Sequence, residues 1–293
     1  MNANCHPFYS HSGKFGLHGP VLALTAGGVA AWPLGLAYAY LIKWIPFIYL
    51  NFLITAGYGF AFGMLASMLL KIGKVRNVPI ALLCGIGVGV LAWYGSWNGS
   101  VHALVESAPW FLTPSQIFKV MGLLYDKGSW GIGFSSQTAV TGVPLAIVWL
   151  IEGGVIVGLS AIICCGAIAN TPFCELHGCW LDEEKKMDKL DAFTHPDHIA
   201  AFQAGDIAPL DLAQPRVPAS GKFARLTLKH SASCDDYCAL SIANVTVTLD
   251  KDGKAQEEAQ ELMTDLWVPK SMFEYLSQFD RPTAKATVGG RGM

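Results

Sequence analysis

Cys174, His177 and Cys179 fall within six residues in the stretch TPFCELHGCWLDEE, and a second pair, Cys234 and Cys238, follows in HSASCDDYC. Thiolate and imidazole donors suit a borderline-soft cation such as Zn²⁺, which takes four of them at the corners of a tetrahedron, a turn on each side supplying two. Two such turns beside antiparallel strands describe a zinc ribbon. Ribbon knuckles carry two intervening residues, as Cys174 and His177 do, whereas four residues separate Cys174 from Cys179 and three separate Cys234 from Cys238. His230 lies just ahead of the second pair. Six candidates therefore compete for four positions, with reversible thiol chemistry and unligated cysteines as the rival readings. A thioredoxin-like site would place CxxC at a helix N-terminus within a βαβ pattern, and neither is present.

A second candidate is Glu152, in VWLIEGGVIV, the one carboxylate inside a long apolar run. An ionisable group in a bilayer faces the bundle interior, a partner or water, and serves either an ion or proton pathway or a hydrogen bond that pins helix packing, here with Asn51, Thr55 or a tyrosine. Transporters built on paired broken helices and intramembrane bases have no counterpart in these runs. Cys84, Cys164 and Cys165 also lie in apolar runs and read as small packing residues, and Cys5 belongs to the tail ahead of them.

The elements that must position these residues follow from composition. Of 293 residues, 52% are hydrophobic and 14% charged, against about 25% charged in an ordinary soluble domain. Residues 1–169 hold seven Lys/Arg and three Asp/Glu, and residues 170–293 hold thirteen and nineteen, so the two parts suit different solvents. No basic face of the kind nucleic-acid binding requires is present. A hydrocarbon layer of about 30 Å needs roughly 20 apolar helical residues. Four runs meet that length, at about 20–42, 46–70, 78–97 and 143–169. The first is read as a retained span, since it lacks the basic region and short apolar core of a signal peptide.

The connection KIGKVRN carries Lys71, Lys74 and Arg76 and no acid, which by the positive-inside rule places it in the cytoplasm. Residues 1–19 then form a cytoplasmic tail, and everything after Ala169 is cytoplasmic as well. Segment 98–142 is an external loop with an amphipathic helix capped by Thr113, opened by Pro114 and closed by Gly128. In a reducing cytosol, clustered cysteines point to metal or redox chemistry rather than a structural disulfide.

Residues 170–280 read as a small α+β unit. A charged, helix-compatible run (LDEEKKMDKLDAF) precedes a short second helix, KFARLTLKH and ALSIANVTVTL alternate as strands, and EEAQELMTDLWV suits a strand or a helix. Residues 281–293 form a disordered tail. The fold class is thus a four-helix membrane bundle followed by an α+β domain with antiparallel strands. Gly59 and Gly63, and Gly85 and Gly89, stand in GxxxG spacing, which serves packing within the bundle or a homo-oligomer face.

The stretches Tyr9 to Phe15, Tyr38 to Leu53, Lys71 to Asn77, Thr141 to Glu152 and Pro172 to Glu175 resemble a group of uncharacterised bacterial multi-pass membrane proteins with a PFCE cysteine knuckle. That resemblance covers most of the chain and implies a bacterial inner-membrane protein without implying an activity. The group's knuckle is a closer CxxC, from which this chain departs. No Ser/His/Asp pattern, P-loop or GxGxxG supports catalysis. His195 to His198 (HPDH) reads as a loop or helix cap. The expected function is a membrane-anchored binding or scaffold module with a zinc-ribbon-like cytoplasmic domain, its partners being the bilayer, a membrane or cytoplasmic protein, or a second copy. The alternatives are a small ion or solute transporter or channel using Glu152, and a membrane thiol redox protein.

Overall fold

The computed structural model describes residues 7–45, 47–105, 107–128, 139–214, 216, 221–252 and 254–277. Cys5, Pro46, Glu106 and the tail 281–293 lie outside them. The chain divides into two compact units, residues 11–170 and a second unit made of residues up to 10 together with those from 171 onward.

The first unit is built on α1 (His18–Trp44), α2 (Ile48–Ile72), α3 (Val78–Leu104) and α5 (Gly142–Ala169), with the shorter α4 (Pro114–Lys127) between the last two. The four long helices have 25 to 28 residues and are long and apolar enough to cross a membrane. At 1.5 Å per residue each reaches roughly 40 Å, more than the hydrocarbon thickness. Their burial is inverted relative to a water-soluble bundle. Val29, Leu53, Leu83 and Leu150 are exposed while Ala23, Ala31, Ala66 and Ala92 are buried, because lipid solvates large apolar side chains and small residues let helix backbones approach. α3 continues seven residues beyond the expected end at Trp97, and Trp97 and Val101 form a cluster there with Leu145 and Trp149 of α5.

α4 starts behind a capping box in which Thr113 and Gln116 bond reciprocally, and it stops before Gly128, whose φ is +80°. Its 14 residues are too few to span, and its apolar side packs Ile117, Val120 and Leu124 into the Trp97–Trp149 cluster. At the other end of the bundle, Asn77 caps α3 by accepting from the Ile80 amide at 3.0 Å, and its side-chain amide donates to the Gly13 carbonyl. The Arg76 amide donates to the Lys14 carbonyl. The HSGKF and KVRN stretches therefore form one packed corner.

The second unit is an antiparallel meander of β3 (Glu183–Leu190), β4 (Lys222–His230), β5 (Tyr237–Leu249) and β6 (Ala255–Pro269) in that spatial order. A hairpin of two-residue strands, β1 (Phe173–Cys174) with β2 (Cys179–Trp180), precedes it. α6 (Pro196–Gln203), a 3-10 turn (Ala208–Leu212) and α7 (Ser271–Ser277) supply Phe202, Leu210 and Leu276 to a core with Leu226, Leu240 and Ile242. Toward the other side, Arg225 joins Asp188 and Glu257, and Lys229 joins Asp265.

The charged run LDEEKKMDKLDAF is a strand, not the helix its composition suggests. Met187 and Leu190 are both buried at helical spacing, but three residues of β3 there match two of β4, so a bulge produces that spacing. β3 is an edge strand, where lysines discourage pairing with another chain. β6 is likewise a strand, with an extra residue opposite Leu240 to Ile242 and Asp265 at φ +48°.

The described residues ahead of α1 divide between the two units. Phe8 bridges Leu266, the Tyr9 amide donates to the Asp265 carbonyl, and the Trp267 amide donates to the Pro7 carbonyl. Residues before α1 and after α5 thus share one sheet, which requires an even number of crossings between them.

Candidate metal centre

The β1–β2 hairpin holds the first donors. Cys174 and Cys179 are paired across it, the Gly178 amide donates to the Cys174 carbonyl at 2.8 Å, and Gly178 takes φ +64°, a conformation that favours glycine. The loop ELHG is therefore wound tightly enough that the amides of Leu176 and His177 hydrogen-bond the Cys174 thiol. The other donor comes from the β4–β5 connection, where a turn closed by the Cys234 amide on the Ser231 carbonyl carries Cys234 beneath the hairpin.

His177 Nδ1 lies 3.4 Å from Cys174 Sγ and 3.6 Å from Cys234 Sγ. All three donor atoms fall within 4.8 Å of one another, and this group could hold a metal ion. Both cysteines are buried, in a cluster with Leu181 and Ala239, and His177 stands at the solvent edge. Its second nitrogen, Nε2, is 3.4 Å from Asp236 Oδ2. A cation on Nδ1 leaves the ring proton on Nε2, where this carboxylate accepts it.

Burial pushes the Cys174 thiol up to about 11, the two loop amides pull it down, and Cys234 beside it pushes it up again. Cys179 is raised chiefly by burial and then by Cys234, while the Ser231 hydroxyl lowers it. A cation that replaces these protons removes the cost of burying adjacent thiols in their charged form. Lys270 adds a positive group at the rim, donating to the Cys234 carbonyl at 2.9 Å and to Asp235 at 2.8 Å. Asp235 is lowered by that lysine.

Of the sequence candidates, the structure brings Cys174, His177 and Cys234 together and sets Cys179 beside Cys234. Cys238 is not in the group. It is the second residue of β5 and lies buried in the sheet core, its Sγ 3.7 Å from the Val268 carbonyl. Burial pushes that thiol up to about 11. His230 pairs with Glu183 at 3.4 Å and meets the Phe273 ring. His195 caps α6 by accepting from the Asp197 amide. Asp236 and Lys270 were not among the candidates; the acidic pair next to Cys234 in SCDDYC was the available signal for Asp236.

In the first unit, the Tyr38 hydroxyl donates to Glu152 Oε1 at 2.6 Å and lies 2.8 Å from Thr55 Oγ1. Thr55 donates to the Asn51 carbonyl, whereas the buried Asn51 Oδ1 has no hydrogen-bond partner among the described residues. Gly59 and Gly63 of α2 and Gly85 and Gly89 of α3 all pack against α5, on Ile156, Ser160, Ala161 and Val157. Cys164 Sγ lies 3.3 Å from the Ala81 carbonyl between α5 and α3. Searches against protein-family models, curated proteins and solved structures return no match to the chain.

Proposed function

We propose that the chain is a bacterial inner-membrane protein that presents a zinc-stabilised binding or scaffold module to the cytoplasm. The observation that carries the reading is the pair of sulfur–nitrogen distances at His177, 3.4 and 3.6 Å. A tetrahedral zinc with Zn–S about 2.3 Å and Zn–N about 2.05 Å separates those atoms by roughly 3.6 Å. Cys174, His177 and Cys234 supply three corners, and Cys179, next to Cys234, supplies the fourth. Four protein donors leave no open position for a substrate, which makes the site structural. It ties the β1–β2 hairpin to the β4–β5 turn.

The cytoplasmic placement rests on Lys71, Lys74 and Arg76 in the α2–α3 connection. In a reducing compartment clustered thiols remain available to zinc. Full-length protein purified in detergent without chelator should carry about one zinc per chain by elemental analysis. Cys174→Ser and Cys234→Ser should each lose it, and Cys238→Ser should keep it. Zinc far below one equivalent in the unmodified protein, or content indifferent to Cys174 and Cys234, overturns the reading.

A further inference from the structure

The four long helices line a half-open cavity of about 770 Å³ that none of the preceding chemistry uses. Glu152, Tyr38, Asn51 and Thr55 supply its polar groups, and Trp97 and Trp149 stand edge to face at 5.1 Å in its wall. That volume is the size of a pocket for a drug-sized molecule, which typically occupies roughly 300–1,000 Å³. Glu152 is the only acidic side chain on the four long helices. We propose that this cavity binds an amphiphilic organic cation, an ammonium or phosphonium carried on an apolar body, with Glu152 as its counter-charge. The site is independent of the metal centre.

The ligand class follows from what the cavity offers. Apart from Lys43 at the rim, its charged or unsatisfied groups among the described residues are acceptors: Glu152, and Asn51 Oδ1, which is buried without a partner among those residues. An anion would meet two acceptors, and a neutral hydrocarbon would leave the Asn51 oxygen without a partner. A cation with an apolar body meets the carboxylate, and the aromatic side chains of Tyr38, Trp97 and Trp149 line the same wall for its apolar part. Lys43, the cation at the rim, is engaged, its Nζ donating to the Ala103 carbonyl at 2.6 Å where α3 ends. An inorganic cation would need a shell of several oxygens, and most of this wall is hydrocarbon. Phe52 and Ile151, which line the cavity, are 58% and 54% exposed on the lipid-facing side of α2 and α5, so an amphiphile can enter laterally from the acyl-chain layer.

The probe is tetraphenylphosphonium, and its isosteric anion tetraphenylborate is the control, both measured by equilibrium dialysis against full-length protein in lipid nanodiscs. Saturable binding of the cation is expected at one site per chain, with the anion at least tenfold weaker, a difference of about 1.4 kcal/mol. Glu152→Gln should weaken the cation by roughly tenfold or more and leave the anion unchanged. Ser100→Phe, which narrows the cavity from α3 without touching the carboxyl, should weaken it similarly and serves where Glu152→Gln does not yield monodisperse protein. No saturable binding to the unmodified protein, equal binding of both ions, or binding indifferent to both substitutions overturns the proposal.

Discussion

His177 is held at both ring nitrogens, by two sulfurs on one side and by Asp236 on the other. A carboxylate behind a metal-binding imidazole fixes the ring and raises its basicity. Asp236→Asn should therefore weaken zinc binding by about 10- to 100-fold, read by competition with a chromophoric chelator, while all four donors remain in place. Lys229 and Asp265 form a second dependent pair at 2.9 Å, both largely buried, with the Ser241 hydroxyl also on the carboxylate. Lys229→Met leaves that carboxylate without its cation and should cost about 1–3 kcal/mol, discounted from the fully buried case for the remaining exposure. Adding Asp265→Asn to Lys229→Met should restore part of the loss in thermal unfolding. At this scale the CxxH spacing of Cys174 and His177 was legible, because a turn of that length brings both side chains to one side. Cys238 was not, since its direction depends on strand register, which no local spacing records.

The helix crossings show how small residues act at the scale of elements. A Cβ on Gly35 of α1 would overlap the Gly95 backbone of α3, and one on Gly99 would overlap the Gly35 carbonyl. Gly95 and Gly99 stand four apart, so the same spacing that marked Gly85 and Gly89 was present and simply pointed to a different neighbour. Gly35→Leu should force α1 from α3 at a cost of about 3 kcal/mol or more, seen as loss of monodisperse protein at lower temperature. Gly158→Leu, with nothing within 4 Å, should stay within about 0.5 kcal/mol of the unmodified protein. The four spans were readable because a membrane demands an uninterrupted apolar length. β3 read as helix and β6 was ambiguous because each carries a bulge, and a bulge spaces buried residues such as Met187 and Leu190 as a helix does.

For the whole molecule, four helices long and apolar enough to cross a membrane would place both flanking segments on one side, as the pairing of Phe8 with Leu266 also requires. If the basic loop is cytoplasmic, a fluorescent protein fused after residue 293 should fluoresce, and alkaline phosphatase inserted in the α1–α2 connection should be active. The reverse pattern would place Cys174, Cys179 and Cys234 in an oxidising compartment and favour a disulfide over zinc. The N-terminal strip also has a consequence for biogenesis. Residues 7–9 bond to Asp265, Leu266 and Trp267 on the last strand, so they leave the ribosome long before their partners exist. At about 5–20 residues per second the delay is on the order of tens of seconds. Until then the strip waits, and completion of β6 is the event that captures it. A fragment beginning at Thr171 therefore leaves open the stretch Asp265 to Trp267 of the β6 edge, which the intact chain covers itself.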